Sequence, residues 1–467
     1  MELQGKGLVA KGILAVLAAI AIAGCAGRTA GYPDGESRYG EFAPDGIPFR
    51  VADSSWTIDM RGNHRAVVCV EDTSAGAVLA RLPWRRPDLQ PDSKKVVVTD
   101  AGGSEVTDVL VTELTPEAGE VIFRPAAGEG TYYIYYLPYK WQTWYINVSD
   151  YLPADYSADP AWAEKAVSGK EGLPPARVEC FESASRFNFW TPMGLTATRA
   201  ETEALREAAG RDMVVFPEDR AFPIQFSRYL PARWTKVPEA SFKGLALRDE
   251  YYAWQLGVWA ARKDLRNVRI SFDGLRNGSS LIPAGEMTCF NLEGTSWDGS
   301  RLDFNVDVPK DRVQAMWCGV MIPRDARPGT YHGTAVVSAE GVEPQTISLE
   351  IKVSGKVIED HGDSETWRHS RLRWLNSTIG LDNEPTARFK EMEVSGSRIE
   401  ATGKSVVIGG NGMVGSAEVN GIDILSSPMR LVVERQGGTT VFDAGGAVLR
   451  RRPPDSWSGP PPARKTG

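Results

Sequence analysis

Four histidines in 467 residues leave little material for a multi-histidine metal site. Five cysteines are present, none in a Cys-x-x-Cys spacing, so neither zinc nor a redox motif is suggested. The longest apolar run, Ile13 to Ala23, falls well short of the roughly 20 residues a membrane-spanning helix takes. Basic charge is outnumbered: 53 Lys and Arg against 60 Asp and Glu leave a net −7, which argues against a nucleic-acid partner. No Gly-x-Ser-x-Gly elbow, P-loop or Rossmann fingerprint occurs, so serine-hydrolase and nucleotide chemistry lack support. What the chain does have is 47 glycines, 30 prolines and 14 tryptophans, the vocabulary of turns and aromatic-rich strands. Its 42% apolar and 24% charged residues suit a folded globular body, and the length allows about three domains of roughly 150 residues.

The N-terminus gives an address. Lys6 and Lys11 precede the apolar run, and Gly24 and Cys25 follow it, the layout of a secretory signal peptide. Ile22-Ala23-Gly24-Cys25 resembles the lipobox of bacterial lipoproteins, which implies lipidation at Cys25; a signal peptide with a coincidental cysteine is the alternative. Residues 1–25 are therefore read as a lipoprotein signal peptide and 26–45 as a flexible tether. The expected location is the bacterial cell envelope, with the membrane as partner through the lipid anchor, since two or more acyl chains hold a protein stably. Of the other cysteines, Cys69, Cys180, Cys289 and Cys318, buried free thiols are expected; Cys289 and Cys318 are the best-placed pair because both fall in one domain.

The body reads as mainly β: tandem β-sandwich or immunoglobulin-like domains with one small helical insertion. Residues 46–175 form a first β-sandwich with a connecting segment that holds a short helix near Ala161 to Val167. Residues 176–241 are a small α/β linker element around the clear helix Arg199 to Ala209, capped by Thr198 and Glu201 and stopped by Gly210. Its flanking runs, Val178 to Phe181 and Met213 to Phe216, are expected as strands that the helix packs across. Residues 242–355 read as an immunoglobulin-like sandwich and 356–442 as a partial third β domain that includes Arg371 to Leu375. Residues 443–467, rich in Pro and Arg, read as a disordered tail.

Few residues offer chemistry. Asp249-Glu250 is the one Asp-Glu dipeptide and reads as a solvated strand start. Asp360, His361, Asp363, Glu365 and His369 are dense, but their spacing matches neither a zinc helix nor a calcium loop, so a polar cluster is expected and no metal or other cofactor is implied. The aromatic set Tyr132, Tyr133, Tyr135, Tyr136, Tyr139, Trp141, Trp144 and Tyr145 is the best binding candidate. Sugar rings present C–H faces that stack on aromatic planes, with Trp141 and Trp144 as the candidate platform for a polysaccharide or glycan. Alternation along a strand turns one of each neighbouring pair into a core. Trp254 and Trp317 stand in apolar strand text and are expected in the core.

A family resemblance rests on longer phrases. Glu250-Tyr251-Tyr252-Ala253-Trp254-Gln255-Leu256-Gly257-Val258, Val313 to Val320, Pro328-Gly329-Thr330-Tyr331 and Trp367 to Gly380 resemble glycoside hydrolase family 123-like proteins. The resemblance extends over about residues 46 to 438 and is strongest from 248 to 385. It implies β-sandwich domains ahead of a (β/α)8 barrel whose adjacent Asp and Glu act on N-acetylgalactosaminides with help from the substrate's acetamido group. A barrel takes about 200 residues or more of alternating strands and helices. With one clear helix, no barrel is expected here, and Asp249-Glu250 matches the β-domain phrase, so no catalytic residue carries over. The leading expectation is the noncatalytic N-terminal portion of a glycoside-hydrolase-like lipoprotein, inactive alone. A self-contained glycan-binding module is the second, and a hydrolase of N-acetylhexosaminides with an unrecognised site the third.

Overall fold

The computed structural model describes residues 43–142, 148–191, 193–381, 385 and 387–442. Cys25, Trp144, Tyr145, the leader, the tether up to residue 42 and the tail from 443 lie outside them. The chain is mainly β, in several sheets, and the described residues form no (β/α)8 barrel. Two compact units are present, one of residues up to 293 with 303–373, the other of 294–302 with 374 onward.

The first unit begins with β1 (Phe49–Val51), β2 (His64–Val70), β3 (Val78–Leu82), β4 (Val96–Asp100), β5 (Val109–Leu114), β6 (Gly119–Phe123), β7 (Gly130–Tyr136), the hairpin β8 (Tyr139–Gln142) and β9 (Val148–Tyr151), and β10 (Pro175–Ser183). The strands run β4-β7-β2-β10-β3-β6-β5, with β1 parallel to β10. Period-two alternation decides what faces inward. Ala66, Val68 and Val70 of β2 and Tyr132, Ile134 and Tyr136 of β7 join Leu82, Val98, Phe123 and Phe181 in one core. Helix α1 (Pro160–Ser168) starts where the Asp159 side chain accepts the Trp162 N–H, with Pro160 in its first turn. Its buried Ala166 meets Ala77, Leu79 and Ile122 in a second cluster.

Helix α2 (Arg199–Ala209) has the expected capping box of Thr198 and Glu201 and ends at Gly210 in a left-handed conformation. Both flanking runs are strands, as expected, and the helix packs on the second, but the two lie in different sheets. Val178 to Phe181 belong to β10 in the first sheet, while β11 (Met213–Asp219) pairs with β13 of the next domain. Backbone pairing with a long neighbouring strand satisfies more donors and acceptors than a two-strand linker could.

The second sandwich comprises β12 (Ser241–Arg248), β13 (Tyr251–Ala260), β14 (Arg269–Phe272), β15 (Leu275–Asn277), β16 (Ser280–Ile282), β17 (Met287–Cys289), β18 (Val313–Met321), β19 (Gly329–Ala339) and β20 (Val342–Val357). One sheet runs β11-β13-β18-β17; the other runs β12-β20-β19-β15-β16, with β14 on β19. Every residue of β13 is buried. Tyr252, Trp254, Leu256 and Val258 face the inter-sheet core. On the opposite face Trp259 packs with Leu205 of α2, Phe216 and Trp234. The helix thus covers the back of this sheet. Gly257 is required there, because a Cβ on it would lie 2.3 Å from the Trp234 ring.

Trp254 is in the core as expected, whereas Trp317 is half-buried on the other face, its ring 5.0 Å from that of His369. Met316 and Cys318 point inward, so alternation sends Trp317 outward. In the second unit, Glu393–Ser395, Arg398–Ala401, Lys404–Ile408, Val414–Val419 and Ile422–Asp423 form an antiparallel five-stranded sheet, and Leu431–Arg435 pairs with Gly438–Phe442. The expected strand Arg371 to Leu375 is instead part of a 3₁₀ turn, Ser370–Asn376. Local bonds such as Leu372 N–H to the His369 carbonyl satisfy its backbone without a neighbouring strand.

Candidate functional site

The outer face of the first sheet carries a charged and aromatic row that strand register builds. Arg50 of β1 lies opposite Glu182 of β10, Glu182 opposite Arg65 of β2, and Arg65 opposite Tyr135 of β7. The Glu182 carboxylate accepts from Arg50 at 2.7 and 2.9 Å and from Arg65 at 2.8 Å. Arg65 also donates to the Tyr135 hydroxyl at 3.1 Å. Its guanidinium sits 3.7 Å from the Tyr133 ring centre and 4.4 Å from that of Trp56, clamped by both aromatics. Burial pulls the Arg65 pKa down, but its bonds to Tyr135 and Glu182 outweigh this and hold it above the ordinary value. The Trp56 indole N–H donates to the Gly62 carbonyl, which ties the 52–62 loop over the sheet. The row therefore fastens the domain and leaves half-buried ring edges of Trp56 and Tyr133 at its surface.

The tyrosines divide as alternation predicts: Tyr132 and Tyr136 enter the core, while Tyr133 and Tyr135 face the arginines. Trp141 lies in β8 opposite Ser149 of β9. The clustering of Trp56, Arg65 and Glu182 was missed in the sequence. Its signal is the parity of Arg65 and Glu182, which stand on the strand positions opposite to Ala66 and Phe181.

The Asp249-Glu250 pair is not a solvated strand start. Glu250 is fully buried and accepts from Arg220 at 2.6 Å, Arg368 at 3.0 Å and the Leu247 N–H at 2.7 Å. Asp249, in a left-handed turn between β12 and β13, pairs with Arg324 at 2.8 Å and His361 at 3.4 Å. Both carboxylates are paired with arginines. Among the described residues, Glu218 is the carboxyl whose pKa is raised, by burial and against the opposing pull of Arg233 and Trp234. It accepts from the Trp234 indole N–H at 2.7 Å and from Arg233 at 3.1 Å.

The 360–369 polar residues separate onto different partners. Asp360 binds Ser364, His361 meets Asp249, Asp363 pairs with Arg373, Glu365 with Arg368, and the His369 ring lies tilted against that of Trp317. Among the described residues no three His, Cys, Asp or Glu side chains converge as metal ligands. A shallow cleft of about 240 Å³ is lined by Asp100, Glu105, Asp108 and Arg124, and Asp108 already pairs with Arg124 at 2.7 Å. No helix among the described residues is long and apolar enough to cross a membrane.

One group in this domain carries a strong pH signature. His64 is half-buried, its ring stacked on that of Trp190 with ring centres 4.0 Å apart and its Nε2 2.7 Å from the Asn188 carbonyl. Burial, helped by Arg86, pushes its pKa down to about 3. Unfolding would return the imidazole to an ordinary value near 6.5, so the unfolded state takes up the proton first. Stability should be full above pH 6.5 and fall as pH drops toward 3, by about 1.4 kcal/mol per unit from this group. Urea titrations at pH 7, 5.5 and 4.5 check this: His64→Phe should flatten the slope, and an equal slope in both proteins would rule His64 out as its source.

The family match falls on this same domain. Residues 54–184 match the family described as Glycoside hydrolase 123, N-terminal domain. The matched stretch contains Trp56, Arg65, Tyr133 and Glu182, and lies upstream of the phrases on which the resemblance was strongest. Among solved structures, a family 123 glycoside hydrolase from Clostridium perfringens, studied for glycolipid glycan hydrolysis, is 19% identical with a TM-score of 0.24; the match covers 31% of this chain and 27% of that one. The chain therefore spans about a quarter of that enzyme. The PapD-like domain 7 of human CEP192 is 13% identical, TM-score 0.17, covering 26% of this chain and 84% of that one. An endo-fucoidan hydrolase of glycoside hydrolase family 107 is 9% identical, TM-score 0.16, covering 56% and 24%. No curated protein matches the chain.

Proposed function

We propose that this chain is an exported lipoprotein whose β-sandwich region is the noncatalytic part of a glycoside-hydrolase-type protein, lipid-anchored through Cys25 and without hydrolase activity of its own. The match of residues 54–184 to the glycoside hydrolase 123 N-terminal domain carries this reading. It is supported by the commitment of Glu182 and Glu250, two of the buried acids that stand beside arginines, to ion pairs. Retaining or inverting hydrolysis needs two carboxyls free to face a glycosidic bond, and substrate assistance still needs one.

The test is an assay of the purified chain on chromogenic N-acetyl-β-galactosaminides and N-acetyl-β-glucosaminides. No turnover above a protein-free blank is expected. Turnover that Glu218→Gln abolishes would overturn the noncatalytic reading and identify a hydrolase.

A second reading, glycan binding, rests on Trp141 and Trp144 in the aromatic run of the sequence. On it, Trp141→Ala and Trp144→Ala should each weaken retention on an immobilised polysaccharide about tenfold, near the value of one ring contact, with an unchanged Tm. A large fall in Tm would place those rings in packing instead.

A further inference from the structure

The sheet β11-β13-β18-β17 brings two thiols together. Antiparallel pairing of β17 with β18 sets Cys289 directly opposite Cys318, from positions 29 residues apart in the chain. The next pair along the same register, Phe290 and Trp317, is joined by the Phe290 N–H to the Trp317 carbonyl at 2.9 Å. Hydrogen-bonded and non-hydrogen-bonded pairs alternate along an antiparallel ladder, so the cysteines occupy a non-hydrogen-bonded position. There the Cα atoms approach to about 4.5 Å and side chains on one face lie closest, within the span a disulfide bridges without backbone movement. Both thiols point into the same core, beside Met316 and Val320, with Cys289 3% and Cys318 0% exposed. The other two described cysteines have no such relation: Cys69 of β2 faces Arg177, and Cys180 faces Val67.

We infer that Cys289 and Cys318 form an intramolecular disulfide that clamps β17 onto β18 in the exported protein; this rests on the export reading given above. The oxidant is a disulfide donor, either a dithiol oxidase of the cell envelope or glutathione disulfide. One cysteine thiolate attacks a donor sulfur and expels the first donor thiolate, leaving a mixed disulfide. The second cysteine thiolate attacks the protein sulfur of that bond, expels the second donor thiolate and closes the S–S bond. The two protein protons end on the two donor thiols, and the two electrons reduce the donor. Burial and the neighbouring Cys289 raise the Cys318 pKa, so the thiolate is scarce once the sheet has closed. Oxidation therefore belongs to folding, and the finished bond is sealed from reductants.

The experiment refolds the reduced full-length chain in a glutathione redox buffer, alkylates it and digests it with trypsin without reductant. Peptides 277–301 and 313–324 should appear joined and lighter by two hydrogens, with Cys69 and Cys180 alkylated. Preparing the protein without the bond should lower Tm by about 5–10 °C, and the double variant Cys289→Ser with Cys318→Ser should show the lower Tm whatever the redox buffer. Both cysteines alkylated, or either carrying glutathione, in the correctly folded product would overturn the inference. The same digest on protein from the cell envelope separates the two readings. Free thiols in envelope-resident protein sink the disulfide in its proposed setting, whereas a chain absent from the envelope sinks the export reading.

Discussion

Arg220→Ala should destabilise the second sandwich by about 3–5 kcal/mol, among the largest effects of any single polar substitution in this chain. The reason is the buried charge it leaves behind. Glu250 has no exposed surface, and Arg220, itself 3% exposed, reaches its Oε1 at 2.6 Å. Removing the guanidinium leaves that carboxylate with Arg368 and one backbone N–H, while stranding the Tyr252 ring over which the guanidinium sits at 4.4 Å. Adding Glu250→Gln to the same protein should recover part of the loss, because the neutral amide is less costly to bury and can still accept the Leu247 N–H. The pair is best compared by urea denaturation at pH 7. A loss below 1 kcal/mol for Arg220→Ala, or no recovery in the double variant, would show that the ion pair is not what holds this corner. Arg368 is part of the same prediction. It fixes the segment 360–373 against β12 and β13, and its guanidinium lies 4.4 Å from the Trp367 ring centre. Arg368→Ala should cost less than Arg220→Ala, since Arg368 is the more exposed of the two.

Cys25→Ala should abolish metabolic labelling with a fatty-acid analogue and move the protein from the membrane fraction to the soluble fraction. The expectation follows from the lipobox-like Ile22-Ala23-Gly24-Cys25 and from anchor arithmetic. Each buried methylene contributes about 0.8 kcal/mol, so two or three chains make the difference between a bound and a free protein. Membrane extraction with carbonate and a labelled-lipid gel are the measurements. Unchanged labelling and sedimentation in the variant would sink the lipoprotein reading and leave the run Ile13 to Ala23 as an ordinary secretory leader. Loss of labelling alone, with the protein still in the membrane fraction, would point to a second attachment in the folded body.

Pattern in the sequence reached a long way into the fold. The limits of α2 could be read from Thr198, Glu201 and Gly210 because a helix cap is a local device: one side chain and one turn satisfy the orphaned N–H groups. The β2, β4 and β7 strands were visible for the same reason, since a run of β-branched and aromatic residues between turn signals is written into a few neighbouring residues. The destination of a strand was not. Val178 to Phe181 and Met213 to Phe216 read alike as short apolar strands, yet one completes the first sheet and the other opens the second. Which partner a strand takes depends on edges made far away in the chain, more than a hundred positions for the first run and more than forty for the second.

The candidate sites divide along the same line. Cys25, Trp141 and Trp144 were singled out because lipidation motifs and aromatic runs are contiguous. The Arg50–Glu182–Arg65–Tyr135 row was not, since its four members come from four strands and meet only in register. Asp249-Glu250 is the sharper case. As a dipeptide it reads as hydrated, and it becomes a buried ion network only because Arg220 and Arg368 arrive from 30 positions before and 118 after Glu250. The sequence by itself determined the β class, the helix limits and the scarcity of catalytic motifs, all of which rest on near-neighbour patterns. Only the tertiary structure decided which charges are buried, which aromatic faces are covered and which cysteines face each other, because those are settled by long-range strand pairing and the desolvation that follows from it.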